Sequence, residues 1–238
     1  MRVIAFDIFG DLAHFRRFYT TSSPLSFAFP PPTTIAGMLG AIIGIDKSEY
    51  LEVFSPENCK IGLQIINPIR KLRLGMNLIN TKGNYWIPTK NKGHEARTQV
   101  KMEFIKDARY RIYFHHKDEE LFKKLSENIQ EHKTFFTLSL GLSELLGNFQ
   151  FIKESEFEER EKEEVYISSV VSVSQVKNNR IIFEEGKNYF RERIPLYMSP
   201  ERIVKKYEDV IFENHGKSIR VEVDKYWRGE DGENVLFF

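Results

Sequence analysis

A single cysteine, Cys59, gives the 238-residue chain no partner for an intrachain disulfide, and a reducing, cytoplasmic setting is expected. The six histidines lack cysteine neighbours at ligand spacing, so no structural zinc site is expected, and neither is any other metal or cofactor. Long apolar runs are missing as well. The longest, residues 35–45, falls well short of the roughly 20 residues that a membrane-crossing helix needs. Met1 leads at once into a strand-like "MRVIAFDIF" instead of a charged leader and apolar core, so neither export nor membrane contact is expected. The sequence contains no P-loop, dinucleotide fingerprint or nucleophile elbow, which removes the commoner nucleotide-dependent and hydrolytic classes.

Net charge is almost absent, at +1, until the chain is divided. Residues 70–101 hold eight basic residues against one acid, Glu95, a window of +7. Residues 154–164 hold seven glutamates against Arg160 and Lys162, a window of −5. The acidic run reads as a solvated linker between two units. In the basic window, "LGMNLINTKGNYWIPTKNKGHEARTQVK", glycines and aromatics interrupt the cations. Close backbone approach, cations for phosphates and flat faces for bases are what a grip on single-stranded nucleic acid requires. The candidates here are Lys71, Arg73, Met76, Lys82, Tyr85, Trp86, Lys90, Lys92 and Arg97.

Periodicity gives the order of elements. Residues 2–9 read as a buried strand, and residues 35–43 as a helix fixed by Pro30–Pro32 and capped by Thr33. Residues 60–74 read as a strand bending at Pro68, and residues 108–115, "ARYRIYFH", alternate as a third strand. Residues 117–130 place Leu121, Leu125 and Ile129 on one helical face. "LSLGLSELLG" reads as a short turn and helix before a strand at 148–153. The order β-α-β-β-α-β is that of a ferredoxin-like, RRM-like α+β fold. Residues 165–176, 181–184, 189–198, 210–213, 218–224 and 235–238 read as short strands, with "KNNR" as a hairpin turn between the first two.

Two stretches before and within the first helix point to a phosphate-bearing partner. In "AHFRRFYTT", Phe15, Phe18 and Tyr19 interleave with Arg16 and Arg17, and two adjacent arginines in a loop need a counter-charge. In "FAFPPPTTIAGMLGAIIGI", Gly37, Gly40, Ala41 and Gly44 fall on one helical stripe and leave one face bare. Each helical glycine costs about 1 kcal/mol against alanine, so something must come close. Tight packing accounts for Gly40 and Gly44. Thr34 and Gly37 lie in the first turn, where unpaired N–H groups suit a phosphate.

The segments "FGDLAHFRRFYTTSSPLSFAFPPPTTIAGMLGAIIGI", the basic excursion after "NPIRKLRLG", "ARYRIYFH" and "LSLGLSELLGNFQFI" together resemble the Cas-five family of CRISPR-associated proteins in the RAMP superfamily. The resemblance covers about the first 155 residues. It implies a ferredoxin-like domain over residues 1–155 with a long β-hairpin thumb at about 75–101, and a smaller β-rich domain over 165–238. It also implies a subunit of the type I surveillance complex, Cascade, that holds the 5′ handle of the CRISPR RNA. Its partners would be the backbone subunit, the large subunit and target DNA.

One branch of that family cuts precursor RNA without a metal. Such chemistry needs a base for the ribose 2′-hydroxyl, a cation for the phosphorane and an acid for the leaving oxygen. His14, His115, His116 and Lys117 are the residues on offer, with His94 nearby, but their order and spacing match that branch poorly, and "HHKDEE" reads equally as a strand end and helix start. A non-catalytic RNA-binding subunit is therefore expected. A ferredoxin-like regulatory or small-ligand domain would share the fold and leave the +7 window unexplained.

Overall fold

Twelve alternating residues at the start of the chain form β1 (Arg2–Ala13), which sends Ile4, Phe6 and Ile8 to one side and Val3 and Ala5 to the other. The computed structural model describes residues 1–20, 22–81 and 95–238. On one flank of β1 lies β4 (Arg97–His116), antiparallel from Ile4↔Phe114 to Ala13↔Ile105. On the other lies β5 (Asn148–Ile167), antiparallel from Arg2↔Glu156 to Phe9↔Asn148. β2 (Cys59–Ile65) pairs with the far side of β4, so the central order is β5-β1-β4-β2.

Helices α1 (Pro32–Ile43) and α3 (Glu119–Gln130) cover one face of these strands. Ile35, Leu39 and Ile42 meet Phe122, Leu125 and Ile129 over the rings of Tyr110 and Phe114 in one continuous core. Burying each such side chain contributes about 1.5–3 kcal/mol. α3 starts where its cap dictates: the Asp118 carboxylate accepts the N–H groups of Glu120 and Leu121 at 2.9 and 3.1 Å. α1 starts earlier than its apolar period suggests. Pro32 occupies the first helical position, where its missing N–H costs nothing, so Thr33 lies inside the helix and Pro31, with no side-chain cap, precedes it.

β4 and β5 are each 20 residues long and overhang β1 at opposite ends. Residues 97–104 of β4 run beyond Ala13, and residues 97–106 pair with β3 (Arg70–Ile79) as a long hairpin, in register from Arg70↔Lys106 to Ile79↔Arg97. Beyond Arg2, residues 157–167 of β5 pair with β10 (Ile219–Gly229). β7 (Val176–Ile182) and β11 (Asn234–Val235) complete the 8-stranded sheet through β10. A second sheet of β6 (Val171–Ser172), β9 (Val204–Glu213) and β8 (Tyr189–Met198) sends Ile194, Val210 and Phe212 into the helix-side core.

Four expectations are corrected. The acidic run 154–164 is the middle of a strand and not a linker, because cations from elsewhere face its carboxylates. Arg2 pairs with Glu154, Lys225 lies 2.6 Å from Glu159, and Arg220 and Arg180 flank Glu164. "KNNR" lies within β7 and is not a turn. "LSLGLSELLG" forms a non-helical loop closed by Leu140 N–H on Leu145 O at 2.8 Å, with Gly141 at φ 107 against the His14 carbonyl. The strand expected over 60–74 is two strands, both on β4, and a one-turn α2 (Tyr50–Val53) precedes them.

The outer edge of β2 is closed by segments from the second half of the chain. Val170 and Phe238 donate their N–H groups to Leu63 and Ile61 carbonyls at 2.7 and 2.9 Å. Val235 and Phe237 lie over Gly62, where a Cβ would meet Val235 Cγ1 at 3.0 Å. Among the described residues no helix is long and apolar enough to cross a membrane.

Candidate nucleic-acid interface

The hairpin of β3 and β4 has two chemically different faces. Leu74, Met76, Val100 and Met102 turn to one side and pack at the root on Leu12, Leu142 and Leu145. Lys71, Arg73 and Lys101 turn to the other by strand alternation. The change of face occurs at Asp107, whose φ of 52° lies opposite Asp11 and between the β2 and β3 ladders. Below it Ile105 and Ala13 belong to the helix-side core, while Phe104 and Leu12 belong to the hairpin cluster.

The basic face is anchored to the loop between β1 and α1. Glu103 accepts the Ser26 N–H at 3.3 Å and the Lys71 ammonium at 3.0 Å, with Arg73 Nε at 3.7 Å. Burial by itself would raise this carboxyl; Lys71, the Ser26 N–H and Arg73 outweigh it and hold Glu103 below its ordinary value. The loop then alternates: Phe15 enters the core, Arg16 points to solvent, and Phe18 and Tyr19 lie exposed. Phe27 N–H on Phe15 O at 2.7 Å and Phe15 N–H on Ser26 Oγ at 2.9 Å fix that register.

Between this loop, the hairpin root and β8 opens a groove of about 520 Å³. Lys71, Arg17, Arg191 and Arg193 supply its cations, and Tyr19, Phe27 and Phe190 its rings. Phe190 is 51% exposed and stacked on Phe212 with centroids 5.8 Å apart. Phe18, 55% exposed, sits 5.1 Å from Tyr207, over which Arg193 lies at 5.4 Å. Among the described residues Arg16, Lys101 and Arg193 have no carboxylate within ion-pairing reach. Of the cations that line the groove, Arg17, Lys71 and Arg191 pair with Glu192, Glu103 and Asp209, and Arg193 alone does not.

The sequence is matched over residues 3–211 by the model of the CRISPR-associated protein (Cas_Cas5) family. The chain belongs to that family. Its fold is shared with solved structures at low identity. A CRISPR protein from Archaeoglobus fulgidus superposes with a TM-score of 0.60 at 18% identity, over 100% of this chain and 99% of that one. A chain of a CRISPR RNA-guided surveillance complex gives 0.54 at 8% identity, over 93% and 91%. A chain from the Type III-B Cmr-beta complex, bound to cognate target RNA and AMPPnP, gives 0.51 at 13% identity, over 93% and 86%. No curated protein matches the sequence.

Within this family member the expected site residues separate into three groups. Arg16, Lys71, Arg73 and the exposed Arg97 lie on the hairpin and loop. Lys82, Tyr85, Trp86, Lys90 and Lys92 lie outside the described residues, as does His94. Of the rest, Phe15, Met76 and Arg17 are placed otherwise than expected. Phe15 is 2% exposed and meets Tyr110 edge-on, so it offers no face to a base. Met76 packs in the hairpin's apolar cluster instead of standing exposed. Arg17 has its counter-charge inside the chain: it pairs with Glu192, donates to Ser26 O at 3.1 Å and to Tyr19 Oη at 2.7 Å. Thr34 and Gly37 line a separate groove of about 440 Å³ with Tyr50, Ser139 and Gly141. Tyr50 covers the glycine stripe: a Cβ at Gly40 would stand 3.0 Å from it, one at Gly37 an ordinary 3.6 Å.

His14, His115 and His116 are drawn into the framework. His14 is 1% exposed, with Nδ1 2.6 Å from Glu103 O. His116 uses both ring nitrogens, Nε2 at 3.0 Å from Val53 O and Nδ1 accepting the Asp118 N–H at 3.0 Å. His115 Nδ1 lies 2.8 Å from Arg2 O, and burial lowers its pKa. Lys117 is exposed at the turn into α3. The residues that sequence reasoning missed, Phe190, Glu192 and Arg193, stand in "YFRER" on β8, where alternation of ring and charge was the available signal.

Proposed function

We propose that this protein is a non-catalytic, RNA-gripping subunit of a CRISPR surveillance complex of the Cascade kind, acting in the cytoplasm. In this reading the repeat-derived 5′ handle of the CRISPR RNA runs from the basic face of the hairpin into the groove beside β8. The hairpin serves as the thumb, and the backbone subunit, the large subunit and target DNA are its other contacts. The central order β5-β1-β4-β2 under α1 and α3 supports reading residues 1–155 as ferredoxin-like, with residues 165–238 as a β-rich second unit.

The observation that carries the reading is the groove beside β8, where Arg193, a cation with no carboxylate within ion-pairing reach among the described residues, adjoins exposed rings. The non-catalytic part draws support from His116, whose two nitrogens are occupied, and from His14, which is closed to solvent. Filter binding of repeat RNA across a salt series tests the grip. The logarithm of affinity is expected to fall by about 0.7 per neutralised phosphate per logarithm of salt, and a flat response would refute it. Incubation of repeat RNA with the protein in EDTA tests the rest: the RNA is expected to stay intact, and a specific cut lost in His115→Ala or Lys117→Ala would replace this reading by that of a metal-independent endoribonuclease.

A further inference from the structure

The groove beside β8 contains one group that a phosphate grip does not need. Glu192 lies in its lining, with its side chain 11% exposed, between the cations Arg17 and Lys71 and beside the half-exposed ring of Phe190. A carboxylate there repels phosphate, and burying it is unfavourable. Its partners account for part of its hydrogen-bonding capacity only: Arg17 pairs with Oε1, and the Ala28 N–H donates to Oε2 at 3.2 Å. An ionised carboxylate has about four acceptor positions, so each oxygen keeps one.

We infer that this groove selects a guanine base and that Glu192 is the residue that reads it. The inference rests on the RNA-gripping reading and adds a specificity to it. A carboxylate is acceptor-only, and the Watson–Crick edge of guanine presents two adjacent donors, N1–H and N2–H₂. On the edges of adenine, cytosine and uracil an acceptor stands next to each donor, and would face one of the carboxylate oxygens. The other parts of the groove suit a base on that carboxylate. Phe190 and Glu192 are two residues apart on β8 and share one face of the strand, so a base stacked along the ring can turn its edge to the carboxylate. Arg193, which lines the same groove and has no carboxylate partner among the described residues, is available to a flanking phosphate. A cavity of about 520 Å³ falls in the size range that holds a small ligand.

The test uses the full chain and fluorescence polarisation at fixed low salt. The probes are labelled octauridylate and the same octamer carrying one guanosine at each position in turn. At one position guanosine is expected to tighten binding on the order of tenfold to a hundredfold, the discrimination of a good bidentate pair. Inosine there, without the N2 amino group, and 1-methylguanosine, without N1–H, are each expected to lose most of that gain. In Glu192→Gln, where an amide donor replaces one acceptor, the guanosine-to-uridine ratio is expected to fall toward one. The modified bases need no protein variant, so they decide the matter even where Glu192→Gln fails to fold. A ratio of one at every position in the parent protein overturns the inference while leaving the RNA grip intact. So does a guanosine preference that survives both N1 methylation and Glu192→Gln, or a variant that weakens all probes equally, which would make Glu192 only a brace for Arg17. Failure of every probe to bind sinks the RNA-gripping reading itself.

Discussion

The two overhangs of the sheet are built alike and charged oppositely. In one, residues 97–104 of β4 leave β1 and stay paired with β3; in the other, residues 157–167 of β5 leave β1 at the far end and pair with β10. The acidic overhang finds its counter-charges in its own ladder. Glu159 has Lys225, Glu164 has Arg220 and Arg180, and Glu222 has Arg180 at 2.9 Å. In the basic overhang Glu103 serves both Lys71 and Arg73, Asp107 serves Arg70 and Lys106 at 4.0 and 3.9 Å, and Lys101 has no carboxylate among the described residues. Charge density in sequence therefore means different things in the two places. One run meets cations across its ladder, and the other leaves Lys101 without a carboxylate among the described residues.

The contrast breaks most readily through binding. Reversing Lys71, Arg73 and Lys101 together to Glu is expected to remove most RNA affinity and to lower the salt slope by about 2, at 0.7 per lost contact. Reversing Glu158, Glu159 and Glu161 to Lys is expected to leave both unchanged. Equal losses in the two filter-binding series would erase the functional distinction between the overhangs.

A smaller effect concerns acid stability. Because the folded protein holds Glu103 below its ordinary value, the stability this group contributes is complete above its unfolded pKa and is lost as pH falls through the folded value. Melting temperature is thus expected to drop below about pH 4.5, and Glu103→Gln is expected to flatten that drop. A Gln variant that follows the parental acid profile would show that the Lys71–Glu103 contact is not what titrates. Glu192 has the opposite sign. Burial, opposed by Arg17 and the Ala28 N–H, raises it, so its ionisation works against folding as pH rises through the raised value.

The smallest effects lie on the surface. Asp118→Ala removes two cap bonds of α3 and is expected to cost about 1 kcal/mol by thermal melting. Lys225→Ala, which breaks a single exposed pair with Glu159, is expected to leave the melting temperature almost unchanged. A larger loss from Lys225→Ala would mean that the acidic ladder depends on each of its cations.

Local signals explain what could be read from sequence. β1, the α3 cap and the β3–β4 excursion are written in alternation, in "KDEE" and in a density of cations and turn formers, all within short windows. The misread parts depend on distant residues. Nothing near residues 154–164 announces that Arg220 and Lys225 will stand opposite, so a strand looks like a solvated linker. The loop "AHFRRFYTT" shows that rings and cations alternate but not which ring faces inward; Ser26 and Phe27, a dozen residues on, settle that for Phe15. A third of the groove's lining comes from β8, more than 160 residues after the loop it faces, and the burial of Glu192 exists only once the two meet.

The closure of β2 has a consequence for synthesis. Its outer carbonyls are met by Val170 and Phe238, residues more than 100 positions later in the chain. While those segments are still being made, the central strands can assemble, yet Ile61 and Leu63 present unpaired backbone to whatever extended segment is near. An open edge is a template for wrong pairing, and long-range closure is slow. The nascent first half is therefore the stage at which this protein is most exposed to aggregation, and co-expression with a partner that shields β2 would raise soluble yield without changing the stability of the finished fold.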